Sequence, residues 1–332
     1  MKQNKTFIPE EIKLEVPKSQ RKHLLELSHW KTPLLIFVLY AWAIFNVFVA
    51  HHYVWLTPVA LVLIAGMQNH LLILVHEGAH GLIYPDRKIN DWITEIFCAL
   101  PCFTRVRDYR AFHFKHHRHT GDPERDPEIR FYADQGYQFK RTSGFVLFGS
   151  FVKDIFFVNM IRFAKSQARF ITDEERTGSL KPVSTLSKTA PLIFWGCALC
   201  LSLTFGFLKS LLLFWIFPAA TLMFLFLKLH GYGEHTGSSA ISEVSKTFTR
   251  NYNFVTNYFL FPIGSGYHLE HHLYPQVPWY RLKAVRKLLI QSYPNLFKES
   301  WPTLSDGYFF GNTSIWKTMI AGEGEYRVEK SL

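Results

Sequence analysis

Four runs of sequence with almost no charge constrain this chain more than anything else in it. Residues 33–50 (PLLIFVLYAWAIFNVFVA), 55–75, 191–208 and 211–227 each approach the length that crosses a bilayer, about 20 helical residues for a hydrocarbon core of about 30 Å. His51 to Val54 is all that separates the first two runs, and Lys209 with Ser210 all that separates the last two. Links so short make each pair a tight helical hairpin. One such run fits the core of a soluble protein, whereas four in pairs point to a membrane. The expected architecture is an all-α integral membrane protein with a single domain over residues 1–332. Its transmembrane helices fall at 33–50, 55–75, 191–208 and 211–227, its arm at 1–32, and its helical cap at 76–190 and 228–332.

Charge orients this scheme. The chain has 37 Lys and Arg against 26 Asp and Glu, a net +11. The basic residues lie in the arm, in 76–190 and in the C-terminal third, while the two predicted outer loops hold almost none. By the positive-inside rule both termini and the cap are cytoplasmic, in a cell inner membrane or the endoplasmic reticulum according to source. The excess of positive charge then reads as topology and contact with anionic membrane lipids, not as nucleic-acid binding. The first 30 residues are too polar for a cleavable signal peptide. The tail Glu329-Lys330-Ser331-Leu332 is neither a retention nor a peroxisomal address. Cys98, Cys102 and the pair Cys197-x-x-Cys200 read as small packing residues, not as a zinc or redox site.

The histidines form a second pattern. His76-x-x-x-His80, His113-x-x-His116-His117 and His268-x-x-His271-His272 are three compact groups, with His235 standing before the last. Neutral imidazole suits Fe, Zn, Cu and Ni, and so many of them imply more than one ion. On a helix, residues four apart lie about 400° round the axis, so His76 and His80 share a face, as do His113, His116 and His117. His119 falls off that face. His235 emerges one to two turns beyond the fourth span, and even numbers of crossings place every group on the same side. Asp122, Glu124 and Asp126 follow the second group, and Asp126 is the carboxylate expected to accept the far N–H of a ligand and fix its tautomer. Gln68, Asn69 and His70 bring polarity into the second span, and His70 reads as an interhelical hydrogen-bond donor before a metal neighbour. Residues 91–103 predict a short interfacial or re-entrant helix ended by Pro101, residues 143–170 a helix on the membrane surface, and Thr172 to Lys188 a polar link.

Taken alone, His76-Glu77-Gly78-Ala79-His80 is the HExxH signature of a zinc metalloprotease. That reading needs one further ligand and leaves two HxxHH groups and His235 unexplained. Its late Asp-Gly partner would have to be Asp306-Gly307, in the polar tail. A membrane metal-binding or transport protein is the other reading, but transport would place ionisable groups near the bilayer midplane instead of at one face.

HEGAH, HFKHH and HLEHH in this order, with an EH before the last and four spans in two hairpins, resembles the membrane fatty acid desaturase and hydroxylase superfamily over about residues 35–290. The resemblance implies two Fe ions (Fe2+/Fe3+) at the cytoplasmic face, held by His76, His80, His113, His116, His117, His235, His268, His271 and His272. Glu77, Asp126, Glu234, Glu270 and His230 are the residues expected to support them. Glu77 stands where the family often has Asp. Gly231 stands where some relatives have an Asn that holds a water, which leaves the last coordination position to His230 or a water. The implied activity is that of an O2-dependent oxidoreductase, a fatty acyl desaturase. The alternative within the superfamily is a carotenoid or terpenoid hydroxylase or ketolase, which the run PCFTRVRDYRAFHFKHHRHTGDPERDPE resembles. Cleaving an unactivated C–H bond needs an oxidant made from O2 and two electrons, which redox-inert zinc does not supply.

The expected partners are a lipid or acyl substrate, O2 and a separate electron donor of ferredoxin or cytochrome b5 type. No His-Pro-Gly-Gly haem motif, GxGxxG fingerprint or ferredoxin-like cysteine set is present. Arg105, Arg107, Arg110, Lys115 and Arg118 form a basic stretch that suits an acidic carrier or lipid phosphates. For Trp92, Phe103 and Tyr109, packing is favoured over lining a substrate channel.

Overall fold

The computed structural model describes residues 17–122, 124–134, 143–178, 180, 185–235, 247–250, 253–294, 307–311 and 314–321. Among them the chain is helical: α1 (Lys18–Leu25), α2 (Lys31–His52), α3 (Thr57–His80), α4 (Arg87–Thr94), α5 (Val106–His119), α6 (Pro127–Asp134), α7 (Gly144–Ile155), α8 (Val158–Arg176) and α9 (Thr185–Thr204). There follow α10 (Leu208–His235), α11 (Phe254–Phe259), α12 (His268–Leu273), α13 (Leu282–Ser292) and α14 (Ile315–Ala321). A single antiparallel bridge, Thr249 to Tyr267, is the β contact among the described residues. The tail Glu329–Leu332, Asp306 and the first 16 residues of the arm lie outside them.

Three helical stretches, Lys31–His52, Val54–His80 and Leu208–His235, are long and apolar enough to cross a membrane. Outward-facing Phe37 and Ile44 on α2, 69% and 70% exposed, suit hydrocarbon and not water, so the chain is a membrane protein. The third expected span is Lys188–Thr204, apolar but shorter. It stops early because Gly206 takes a left-handed φ of 73° and turns the chain through Phe205–Phe207. The link expected at Lys209 and Ser210 therefore lies inside α10. The single surface helix expected over 143–170 is instead two, α7 and α8, broken at Phe156–Phe157, and 82° separates Gly144–Ile155 from Met160–Arg176. The polar residues from Thr172 to Arg176 extend α8, so the link begins later than expected.

Helix α3 is the spine, packed against α2, α5 and α10. Pro58 sits in its first turn, where a missing N–H costs nothing, and Gly81 closes it at φ 83°. Inside α3, Gln68 Nε2 donates to Trp215 O and Asn69 Nδ2 to Phe259 O, both at 2.9 Å. These amides tie α3 to α10 and α11. His70, for which an interhelical bond was expected, bonds instead to Gly66 O of its own helix at 2.9 Å and packs on Tyr258. The stretch 91–103 is helical through α4, widens to a π turn at Glu95–Ala99 and ends in a 3-10 turn at Leu100–Cys102. Asp86 caps α4 by accepting from Lys88 N and Ile89 N. Cys98 and Cys102 are buried packing residues and form no disulfide, whereas Cys197 and Cys200 face outward.

Candidate metal centre

The last turn of α3 carries His76 and His80, α5 carries His113, His116 and His117, the last residue of α10 is His235, and α12 carries His268, His271 and His272. The fold brings these nine together in two groups. His76, His80, His113, His117 and His271 place one nitrogen each within 4.8 Å of one another, and so do His116, His235, His268 and His272. The HxxHH spacing explains the division. Residues i and i+4 point the same way, while i+3 diverges by roughly 100° from i+4. His113 and His117 thus join one group and His116 the other, and on α12 His268 and His272 join one group and His271 the other. The single shared face read from the spacing of His113, His116 and His117 is two directions in the structure.

The nitrogen contacts are those of cation sites. His113 Nε2 stands 2.9 Å from His80 Nε2 and 2.9 Å from His117 Nε2, and His117 Nε2 is 3.1 Å from His271 Nε2. In the second group His268 Nε2 is 3.2 Å from His235 Nε2 and 3.1 Å from His272 Nε2. An imidazole nitrogen has one in-plane position, filled by a proton or a lone pair. His113, His117 and His268 each make two such contacts through one atom, which protons alone do not satisfy. A metal at about 2.1 Å from each nitrogen sets neighbours at right angles about 3.0 Å apart, the spacing observed. Buried His76 Nε2, His116 Nε2 and His271 Nδ1 have no hydrogen-bond partner. The residues therefore fit metal binding.

Burial first, and then the neighbouring imidazoles, push His113, His117, His271 and His272 below the ordinary histidine value. Burial thus favours the neutral form, the one that presents a lone pair, at all four. Burial disfavours charge on His116 as well, but Glu128 and Asp126 outweigh it and raise its value.

Carboxylates hold the far nitrogens. Asp126 Oδ1 and Oδ2 lie 3.0 and 3.1 Å from His116 Nδ1. Glu234 Oε1 lies 2.9 Å from His268 Nδ1. Glu77 Oε1 stands 3.4 Å from His76 Nδ1, while its Oε2 accepts from Trp279 N at 3.1 Å. His230 bonds to Glu234 Oε1 at 2.8 Å and Leu260 O at 2.5 Å, so it braces the carboxylate that meets His268. Glu270 accepts from Thr249 Oγ1 and pairs with Arg286, so it fastens α12 to α13 and not a histidine ring. His119 stands outside both groups.

Sequence reading missed Glu128. Its Oε2 is 2.8 Å from His116 Nδ1 and 3.8 Å from His235 Nε2. The signal was Asp126-Pro127-Glu128: Asp126 Oδ1 accepts from Glu128 N at 2.9 Å, and Pro127 opens α6. Asp122 and Glu124, by contrast, belong to an outward turn in which Asp122 pairs with Arg125. Arg110 was read as surface charge, but it binds Ala79 O at 2.8 Å, Gly78 O at 3.1 Å and Asp91, fixing the end of α3 against α5.

A largely apolar cavity reaches both groups, its wall including His76, His113, Glu128, His268, His271 and Trp279. Tyr109 lines it and stacks on His113 at 5.5 Å. Trp92 and Phe103 do not line it, and Phe103 stacks on Trp195 at 4.5 Å. The basic stretch is likewise mostly committed: Arg105 pairs with Glu95, Arg107 with Asp108 and Glu175, Arg110 with Asp91 and Lys115 with Glu174. It is largely internal bracing and not an open docking surface.

Membrane-length helices that carry two buried imidazole groups beside an apolar cavity define a membrane protein with candidate metal sites. The chain belongs to the fatty acid desaturase family, whose sequence model matches residues 53–301. It is an oxidoreductase of the membrane desaturase and hydroxylase superfamily. It is 31% identical over 243 residues to the dihydrorhizobitoxine desaturase of Bradyrhizobium elkanii, covering 71% of this chain and 68% of the relative. It is 27% identical over 248 residues to the sphingolipid delta(4)-desaturase DES1 of Drosophila melanogaster, covering 73% and 68%.

Proposed function

We propose that the protein is a two-iron membrane desaturase that inserts a double bond into an acyl chain of a lipid. The observation that carries this reading is the division of the nine histidines into groups of five and four against one apolar cavity. His76, His80, His113, His117 and His271 would hold one iron, and His116, His235, His268 and His272 the other. When bound, the irons would supply the redox chemistry with O2 that breaking an unactivated C–H bond requires. The balanced change is CH2–CH2 + O2 + 2 electrons + 2 H+ to CH=CH + 2 H2O. Two of the four electrons accepted by O2 come from the substrate, and a separate ferredoxin or cytochrome b5 type carrier supplies the other two.

The chain's own residues select and orient. Leu72, Ile73, Phe112, Phe131 and Phe163 give the cavity an apolar wall that favours an alkyl segment and excludes water. Asp126 and Glu234 fix the tautomers of His116 and His268, so their Nε2 atoms face inward as lone pairs. The topology in this reading is two hairpins over one domain, with both termini and the histidine-bearing cap on the cytoplasmic side. Both relatives are named as desaturases, and one acts on sphingolipid, which favours desaturation of a lipid over carotenoid or terpenoid hydroxylation. An HExxH zinc protease is disfavoured by the three further imidazoles that join His76 and His80.

The test is metal content with product analysis. About two irons per chain, and lipids from an expressing host that have lost two mass units, are expected. A single zinc, or products heavier by one oxygen, would overturn the reading.

A further inference from the structure

A second cavity, of about 210 Å3, lies beside α3 and shares one residue, Ile263, with the cavity at the histidines. Its wall includes His70, Arg250, Phe254, Tyr258 and Gly264. Helix α11 positions it. Asn69 Nδ2 donates to Phe259 O and the Tyr258 hydroxyl donates to Leu63 O, so α11 runs beside the middle of the second span. Phe254 and Val255, 82% and 61% exposed, face outward there, which puts the cavity at the lipid-facing side of the bundle.

The wall between the two cavities is strained. Ile263 takes φ 57° and ψ 30°, a left-handed conformation that a β-branched residue rarely adopts, and Gly264 after it takes φ 73°. Strain of this kind persists where the surroundings enforce it, commonly at sites that clamp a ligand.

His70 faces the second cavity with one open atom. It is 9% exposed, and its Nδ1 lies 2.9 Å from Gly66 O. A carbonyl only accepts, so the hydrogen of the neutral ring sits on Nδ1 and Nε2 is an acceptor. Among the described residues Nε2 has no partner, and it is not sealed off from the cavity that His70 lines. Other polar groups of that wall are committed. Arg250 Nε donates to Gly233 O with the guanidinium over Phe248, and the Tyr258 hydroxyl meets Trp42 Nε1 and Leu63 O. An acceptor left open in apolar surroundings calls for a donor. His76 follows six residues later on α3, about 9 Å along the axis.

We propose that the second cavity binds the hydrogen-bond donor of the lipid substrate, a hydroxyl or an amide N–H, on His70 Nε2. Ile263 then sets how the attached alkyl segment enters the cavity at the histidines. The proposal rests on the desaturase reading above and gives its substrate class, a lipid whose polar part is neutral and donates.

The experiment uses the full chain in detergent, with tritiated hexadecan-1-ol as the probe and 1-methoxyhexadecane and hexadecanoate as unlabelled competitors. Displacement is measured for wild type, His70→Leu, His70→Gln and Ile263→Gly, with unfolding midpoints to identify a variant that does not fold. Wild type should bind the alcohol about 10-fold tighter than the ether, the scale of one hydrogen bond to a buried acceptor. His70→Leu should lose that preference, and His70→Gln, whose amide oxygen accepts, should keep it. Ile263→Gly should keep it too, but spread the double bond over more than one position in the lipids of an expressing host. Equal binding of alcohol and ether by wild type would overturn the proposal without any variant. Tighter binding of hexadecanoate would overturn it as well, and would assign the cavity to an anionic group on Arg250. An unchanged preference in folded His70→Leu would overturn the role of His70, and an unchanged double-bond position in Ile263→Gly that of Ile263. Binding is read without turnover, so oxygenated products would sink the desaturase reading and leave the binding result standing.

Discussion

His116 donates its Nδ1 hydrogen to Asp126, whose oxygens stand 3.0 and 3.1 Å away and which has no exposed surface. A carboxylate offers lone pairs only, so a hydrogen sits on Nδ1, and Nε2 is the atom left to face the second group. Asp126 also accepts from Gly121 N and Glu128 N, which fixes it in place. The tautomer of His116 is set by the turn between α5 and α6.

Asp126→Asn should therefore weaken iron binding more than its size change suggests. The amide is free to donate to Nδ1 and move the hydrogen to Nε2, where it opposes a metal. The expected loss is about 10- to 100-fold in iron affinity, read by equilibrium competition with a chelator. Wild-type affinity in the variant would show that the turn does not govern the tautomer.

On the opposite side His230, Glu234 and His268 form a chain, with contacts of 2.8 and 2.9 Å through Glu234 Oε1. Glu234→Gln breaks it at the residue that touches the ligand ring, and His230→Gln one step further out. Iron affinity should fall about 10- to 100-fold in the first and by a smaller factor in the second. A larger loss in His230→Gln would reverse the order of support that the geometry gives.

Much of this centre was legible in the sequence because its parts are local. The nine histidines announce themselves by helical spacing, and the apolar runs bring their helices to one end of the bundle. What spacing does not reveal is partition. His116 and His117 are adjacent in sequence and belong to different groups, which follows only once α5 lies between α3 and α12. Glu128 was missed although Asp126-Pro127-Glu128 was its signal, because only its contacts with His116 and, from α10, His235 give that signal meaning. Glu270 misled because it sits within its box but turns to Arg286 on α13. The link at Lys209 and Ser210 was misplaced because hydropathy does not register that Gly206 takes a positive φ.

The close approach of α3 to α4 depends on Gly78. A Cβ there would lie 2.2 Å from Thr94 Cγ2 and 2.7 Å from Thr94 Cβ, and Thr94 is held by its bond to Asn90 O at 2.6 Å. Gly78→Ala should destabilise the protein by about 1–3 kcal/mol through overpacking. Adding Thr94→Gly, which removes the clashing Cβ, Cγ2 and Oγ1, should recover part of the loss. Thermal unfolding in detergent checks this, and a double variant no more stable than Gly78→Ala would locate the strain elsewhere.

Lys228 and Asp154 form an ion pair at 3.1 Å with side chains 1% and 0% exposed, joining α10 to α7. The ammonium also lies over the Phe151 ring, 5.4 Å from its centroid. Two charges removed from water gain little net stability over well-packed apolar residues, but either one left alone is costly. Lys228→Met should thus destabilise by about 3–5 kcal/mol, and Lys228→Met with Asp154→Leu should return near wild-type stability. Because Lys228 is seven residues before His235 on the same helix, the single variant should also loosen the iron of the four-histidine group, while the double variant should not. Denaturant unfolding in micelles, combined with iron retention, separates the outcomes. A double variant as unstable as the single one would mean that the pair itself, not the penalty of an orphaned charge, holds α7 against α10.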